Sequence, residues 1–493
     1  MQKKQISLFF ALYPALRIFS YFFQPQTPLH SANPVNTTIS AAILLAAIYF
    51  LWKKDEWGWY IIALEIILGG AGGYLAIGSL SLRTCLLGVS LLIYGIQKIL
   101  DIKYWKLKNK EIISNIQYPI FLLIIWAGFS AARGYLGGHD IHLVVSDTIP
   151  YFFFLYYFPL RELLQSKKFK ELCSNALMAA IIGNFALIIF TFIGFSSGHF
   201  ALQDSYYHWY RDVSLGKITE LPFHFYRLVL NEHLLLVPVL LWFIHSVIAR
   251  SDEGTTKSRD ATKGQSPNLN ITGTKEIAAS RYAGLAMTML VVMALNLTRI
   301  YLLALVVGLL FLFTRQNLKR WLTISISTLI FFCFSFTSIH LIASRGQSLG
   351  WELFGVRLQS IASPQIEDSS LSRLLLLPKI IEKIKAHPML GEGLGATVTV
   401  FSPIFKQEIT TPHFDWGYLE IIDEMGIIGL FIWLFTIYYL LDAIRKNSLS
   451  SKNFFFASII ALLIINLTSP ALFHVLGIIW VACIFTITPK FSK

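Results

Sequence analysis

Apolar runs of about 15 to 25 residues recur from one end of the chain to the other, and the charged residues gather in the short stretches between them. As helices, runs of this length match the roughly 30 Å hydrocarbon core of a bilayer. The pattern predicts helices near 6–23, 37–52, 58–78, 82–99, 116–133, 145–160, 174–197, 222–249, 281–297, 300–314, 322–343, 417–441, 454–467 and 471–488. The expected fold is all-α, a polytopic transmembrane helical bundle of about fourteen spans forming one integral membrane domain, 1–493.

Charge supplies a test, because short loops retain Lys and Arg on the cytoplasmic side. Every second loop is basic: Lys3 and Lys4, Lys53 and Lys54, the run KYWKLKNK from Lys103, Lys167 to Lys170, Arg250 to Arg281, Arg315 to Arg320, Arg445 with Lys446, and the tail Lys490 to Lys493. The alternate loops, such as Gln24 to Asn36 and Gly134 to His142, are nearly free of Lys and Arg. Both termini are therefore expected on the cytoplasmic side of a bacterial-type inner membrane. The run to Phe23 is followed by no A-x-A cleavage pattern and reads as a retained first helix.

Composition sharpens the picture: 55% of the 493 residues are hydrophobic and 14% charged, where a soluble domain carries about a quarter. The net charge of +13 sits in short inter-span clusters rather than on one amphipathic face, so it reports topology, and nucleic acid is not an expected partner. Cys85, Cys173, Cys333 and Cys483 are scattered, with no CxxC and no pairing suggested by spacing. No internal repeat of the kind that builds two-halved transporters stands out.

Two stretches break the rhythm. Arg250 to Arg281 contains SDEGTTKSRDATKGQSPNLNITGTKE, too poor in apolar surface to fold alone, and is expected to be a mobile cytoplasmic linker. Ser344 to Trp416 carries seven basic and seven acidic residues on the outer side, and long loops escape the charge rule. Loops beyond about 15 residues are usually functional or disordered, and this periplasmic loop has signals of order. Asp368-Ser369-Ser370 is a capping sequence for a helix running to His387-Pro388, with Leu371, Leu374, Leu375, Ile381 and Ile384 on a broad face and a kink at Pro378.

The loop also holds HPMLGEGLGA (His387 to Ala396) and TPHFDWGYLEIIDEMGIIGL (Thr411 to Leu430). This pair resembles the signature of the O-antigen ligase and O-antigen polymerase superfamily, a Pro-x-x-Gly-x-Gly-x-Gly turn preceding a His-containing motif that ends in Glu-x-Gly-x-x-Gly. Pro388, Gly391, Gly393, Gly395, Glu424, Gly426 and Gly429 fit. Upstream, LNLTRIYLLALVVGLL puts Arg299 at an outer turn similar to the family's Ser/Thr-Arg hairpin, so the resemblance covers about Pro222 to the C-terminus. It implies a GT-C-like helical fold and an enzyme that joins glycans carried on polyprenyl diphosphate to a glycan or lipid acceptor. The chain departs from the pattern in one place: where family members carry His followed by Asn or Ser, it has Asp415, with His413 two residues earlier.

Chemistry independent of the family points the same way. A diphosphate leaving group develops negative charge that a forked guanidinium holds better than an ammonium, and Arg299, Arg373 and Arg227 are the candidates. Each has a plainer reading, as an interfacial anchor or a structural ion pair. His413, with its pKa near working pH, is a candidate base for the acceptor hydroxyl, and Asp415 is the alternative. Glu420, Asp423 and Glu424 share one face of the twelfth span, as lining of a wet cavity or as carboxylates at a helix start. Arg227, Glu232 and His233 are ionisable residues in the eighth span, functional or a salt bridge between helices. Gly391 and Gly393 are candidates to offer N–H groups to phosphate, or simply turn the chain. Tyr206, Tyr207, His208, Trp209 and Tyr210 suit sugar stacking or interfacial anchoring.

No Asp-x-Asp, HExxH or Cys/His cluster appears, so metal-independent, inverting glycosyl transfer without a cofactor is expected. The donor is a polyprenyl-diphosphate-linked glycan, and acceptor type, whether growing chain, lipid core or protein, is left open. The competing hypothesis is a lipid-linked oligosaccharide flippase, which would place polar residues at the bilayer midplane in broken helices. Here they concentrate at the outer ends of spans and in one outer loop.

Overall fold

The computed structural model describes residues 2–27, 31–105, 117–261, 269–313, 318–362, 368–402, 407–446 and 451–487. The chain is a helical membrane protein. Among the described residues eight helices are long and apolar enough to cross a bilayer: Pro34–Trp52, Leu82–Leu100, Tyr118–Leu136, Ile141–Leu163, Lys167–Ser196, Asn231–Ala249, Leu318–Ala343 and Gly417–Lys446. Three apolar helices, Arg299–Phe311, Lys452–Ile465 and Val475–Ile487, are shorter. Gln2–Phe22 and Leu269–Asn296 are helical where the first and ninth spans were expected.

Local chemistry explains where the elements depart from the hydropathy pattern. The expected 58–78 span stops at Leu68, because Gly69, Gly70, Gly72 and Gly73 follow; Gly70 and Gly72 take positive φ, and a small hairpin, Ala76–Ile77 with Leu80–Ser81, comes next. The expected 222–249 span begins as sheet, since Lys217–Leu221 and Phe225–Val229 form an antiparallel hairpin and the helix starts only at Leu236. FYRLV is aromatic and β-branched and follows Pro222, which favours strand over helix. A third hairpin, Val398–Ser402 with Gln407–Thr411, lies in the long loop between the helices Leu318–Ala343 and Gly417–Lys446. The all-α expectation thus holds for the spans and fails at three hairpins. Of the stretch read as a linker, 250–261 and 269–281 are the ends of two helices, and 262–268 lie outside the described residues.

The chain divides into two compact units. The first comprises Met1–Leu86, Lys167–Trp351 and Asn453–Ala461, and the second Leu87–Ser166, Glu352–Lys452 and Leu462–Lys493. In the second unit the long loop owns a small core. Ile380, Val398 and Phe414 are almost wholly buried, with Leu376, Ile384, Val400, Trp416 and Leu419 packed around them. Each such side chain contributes roughly 2 kcal/mol on burial, which is why this loop is ordered. The helix Asp368–Ala386 contains Pro378 as expected, but its packed stripe is Leu376, Ile380 and Ile384, at spacing four, while Leu374 and Ile381 are exposed.

The feature that positions everything else in this unit is a break in the helix Gly417–Lys446. Gly426 takes φ 71 and ψ 179, so neighbouring backbone groups lose their helical partners. The Pro388–Gly395 turn supplies new ones. Glu392 and Gly393 donate their N–H groups to the carbonyls of Asp423 (2.6 Å) and Glu424 (3.1 Å), while Ile427 and Ile428 donate to Pro388 (2.9 Å) and Met389 (3.3 Å). Trp126 Nε1 donates to the Met425 carbonyl at 3.0 Å. The approach leaves no room for side chains: a Cβ on Gly426 would strike the Met389 carbonyl, and one on Gly391 the Glu424 backbone. Both glycines have positive φ. Gly426→Ala should therefore cost about 3 kcal/mol or more, read as a lowered thermal unfolding midpoint in detergent. Gly128→Ala, in a helix with open space around it, should stay within about 1 kcal/mol of the parent.

Candidate functional site

The helix break sets three carboxylates in the protein interior. Glu420, Asp423 and Glu424, at spacings three and four on one face, are 1%, 1% and 3% exposed. Asp147, from the helix Ile141–Phe152, accepts the Gly395 N–H at 3.1 Å and lies within electrostatic reach of Glu420, Glu424 and His413. Among the described residues both oxygens of Asp423, Glu420 Oε2 and Glu424 Oε1 have no hydrogen-bond partner. Buried carboxylates left this way are costly, which makes the cluster a candidate site.

His413 stands at the edge of this cluster, next to Phe414, whose burial in the loop core fixes the segment. Its Nδ1 is 2.8 Å from Glu420 Oε1, and its side chain is 54% exposed against 1% for Glu420. Partial burial opposes a charged imidazole, but the bond to Glu420 and its charge, together with Asp147 and Asp415, outweigh it and raise the His413 pKa above its ordinary value. With Nδ1–H held by Glu420, the free nitrogen is Nε2, facing outward from the bond as an acceptor. A histidine and carboxylate at this distance have the geometry of a base and its orienting group.

The rival base is otherwise engaged. Asp415, at φ 52, receives Arg373 Nη2 at 3.0 Å and is 61% exposed. Arg373 is one-quarter exposed, and its buried Nε has no acceptor among the described residues. Lys383 pairs with Glu392 and donates to the Thr397 carbonyl at 2.6 Å, closing the loop over the glycine turn. The turn's own N–H groups all point to protein acceptors: Gly391 to His387, Gly393 to Glu424, Gly395 to Asp147. Gly391 and Gly393 thus spend their N–H groups within the protein, and their positive φ accompanies a close backbone approach. Arg133 adds to the lock, donating Nε–H to the Gly391 carbonyl at 2.7 Å.

The remaining candidates lie in the first unit. Glu232 Oε1 accepts from Arg17 Nη2 (3.3 Å), Tyr13 Oη (3.2 Å) and Asn184 Nδ2 (3.1 Å). Arg17, 3% exposed, also donates to the Leu68 carbonyl at 2.9 Å and lies 3.2 Å from the Tyr13 ring centre. His233 Nδ1 accepts from Leu230 N (3.2 Å) and Asn296 Nδ2 (2.8 Å), which assigns its proton to Nε2, 3.2 Å from Asn184 Oδ1. Arg227 is on a strand, not in a span: its Nε donates to the Asn296 carbonyl (2.9 Å) and its Nη2 to Thr298 Oγ1 (3.0 Å). This network ends at the turn where Leu297 has φ 43 and Arg299 begins the next helix, the tight turn expected between two helices. Glu232 and Arg227 each join separate elements through these bonds, while Glu232 Oε2 has no hydrogen-bond partner among the described residues. Within the aromatic cluster, Trp209 and Tyr210 are buried and Tyr206 stacks on Phe200 at 4.7 Å.

Asp147, Arg133, Arg17, Asn184 and Asn296 went unnoticed in the sequence. A lone Arg17 or Asp147 inside an apolar run was a usable signal, because ionisable residues in spans are rare and functional by default. Asn184 and Asn296 carried none, since their partners lie far away in sequence.

Residues 284–434 match the family model described as O-antigen ligase. The match covers both sequence motifs, Arg299 and the His413–Glu420 pair, and supports the resemblance to the O-antigen ligase and polymerase superfamily. That is a glycosyltransferase-like enzyme family, and the match supports a role in O-antigen or other surface-polysaccharide biosynthesis. No curated protein matches the chain.

The first-unit network makes a stability prediction. Arg17→Met leaves Glu232 buried without its cation and should lower stability by about 3 to 5 kcal/mol. Adding Glu232→Gln should restore much of it, a coupling visible in a double-mutant cycle of thermal unfolding.

Proposed function

We propose that the protein is an inverting, metal-independent glycosyltransferase of the periplasmic face, passing an oligosaccharide from polyprenyl diphosphate to an acceptor hydroxyl in surface-polysaccharide assembly. The observation that carries this reading is the His413–Glu420 pair, half open to solvent on one side and buried on the other, inside a segment that matches the O-antigen ligase family. His413 Nε2 takes the acceptor proton while the acceptor oxygen attacks the anomeric carbon. The bond to the diphosphate breaks, and polyprenyl diphosphate leaves with the electron pair. Glu420 stabilises the imidazolium that forms and keeps Nε2 turned to the substrate.

Leaving-group charge falls to arginine. Arg373, with its free Nε, is the diphosphate ligand of the second unit, exchanging Asp415 for phosphate oxygen. Arg299 is the anion-binding candidate of the first unit: it opens a helix, where the macrodipole adds to its charge in favouring an anion. The shifted histidine favours chain polymerisation over ligation to a lipid core. A broken helix is also what a flippase would use, but the carbonyls freed at Gly426 are taken by Glu392, Gly393 and Trp126, leaving none for an ion or substrate.

His413→Ala should lower transfer by about 10²- to 10⁴-fold, measured as polyprenyl diphosphate released from lipid-linked glycan by the reconstituted protein. The wild-type rate should fall as pH drops through the raised His413 pKa, because the base is then protonated. Glu420→Gln removes the charge that raises that pKa, so the acid limb should move to lower pH while the plateau rate falls. An acid limb unmoved by Glu420→Gln would show that His413 is not the titrating base.

A further inference from the structure

The first unit carries an open cleft of about 480 Å³ whose walls come from three separate segments. One wall is the end of the helix Lys167–Ser196 and the turn after it, through Gln203; another is the hairpin Lys217–Val229; the third is Arg345, just past the helix Leu318–Ala343. The volume falls in the range of small-molecule sites, about 300 to 1,000 Å³. We propose that this cleft binds a sugar unit of the glycan, with Arg345 and Glu220 gripping its hydroxyl or carboxyl groups and the Phe200 and Tyr226 rings beneath its face.

Three observations support this. The rim is strained: His224 and Arg345 have φ of 55 and 51, conformations that persist where the surroundings impose them and cluster at binding sites. The rim is also braced, because Ser196 Oγ donates to the His224 carbonyl at 3.0 Å and Glu220 pairs in register with Tyr226 across the hairpin. Its chemistry is that of a carbohydrate site, with a floor of Phe195, Phe200 and Tyr226 rings 5.3 to 5.7 Å apart and exposed polar groups above it. Glu220 lies 3.9 Å from His224 Nδ1, while Arg345 makes no ion pair among the described residues. An arginine and a carboxylate lining one cleft disfavour a bare phosphate or a lipid headgroup, whereas a pyranose offers apolar faces to rings and hydroxyl pairs to a guanidinium and a carboxylate. Both the 197–222 stretch and the start of the 344–416 loop are expected on the outer face, where the glycan would be.

The inference rests on the glycan-transfer reading above, and the test separates the two. The full chain in phospholipid nanodiscs is titrated with the repeat-unit oligosaccharide released by mild acid from the host's polyprenyl-linked pool, which carries no phosphate. Affinity should fall tenfold or more in Arg345→Ala and in Glu220→Gln, partly recover in Arg345→Lys, and be unchanged in His413→Ala. Thermal unfolding midpoints equal to the parent's would exclude misfolding, and Arg345, being exposed, serves as the variant least able to disturb the fold. In the transfer assay the same variants should raise KM for the glycan tenfold with kcat little changed. Transfer by the wild type with unaltered affinity and KM in both variants would overturn the cleft alone. Neither transfer nor saturable binding by the wild type would overturn the cleft together with the reading beneath it. Binding of polyprenyl diphosphate without the sugar, equally weakened by both variants, would replace the sugar with phosphate and overturn the assignment.

Discussion

One backbone event, the break at Gly426, carries the second unit. A helix that stops hydrogen-bonding to itself in a nonpolar setting must find other partners, since each unmet group costs free energy on the order of a kcal/mol or more. The Pro388–Gly395 turn meets that demand, and only a chain free of Cβ atoms at Gly391 and Gly426 approaches closely enough. The same contact that repairs the helix anchors the long loop against the apolar helix of the unit. It also fixes the face bearing Glu420, Asp423 and Glu424, and so the distance at which His413 meets its carboxylate. Scaffold and chemistry are one arrangement here.

The two units solve the problem of buried charge differently. In the first, Arg17, Glu232, Asn184, His233, Asn296 and Arg227 form a hydrogen-bonded chain of mixed charge and polarity, in which Arg17 Nε and Glu232 Oε2 stay without a partner among the described residues. In the second, four carboxylate oxygens have no partner among the described residues, next to a half-exposed histidine. Opposite charges in the first unit tie elements together, whereas like charges in the second leave carboxylate oxygens unmet beside an opening. In the function proposed above, His413 and Glu420 carry the chemistry.

How legible this was in the sequence follows from the range of the interactions involved. Helices came through because hydropathy over some twenty residues is a local property, and so did the helix Asp368–Ala386. The hairpin at Lys217–Val229 did not, because an apolar aromatic run reads alike as buried strand or helix. The glycine turn was recognised as a motif, yet its purpose was hidden: whether its N–H groups face phosphate or a carbonyl of Glu424 depends on a helix break some thirty residues on. His413 and Asp415 were equivalent from spacing alone, and their different partners, Glu420 and Arg373, separate them.

The measurement that bears most directly on the account is a two-channel assay of the wild-type protein in sealed proteoliposomes loaded with fluorescent polyprenyl-diphosphate glycan and an acceptor. One channel follows release of polyprenyl diphosphate and the other follows movement of intact lipid-linked glycan between leaflets. The account predicts release with inversion at the anomeric carbon, unaffected by chelators, and no movement between leaflets above that of empty vesicles. Movement of intact lipid-linked glycan without cleavage would contradict it.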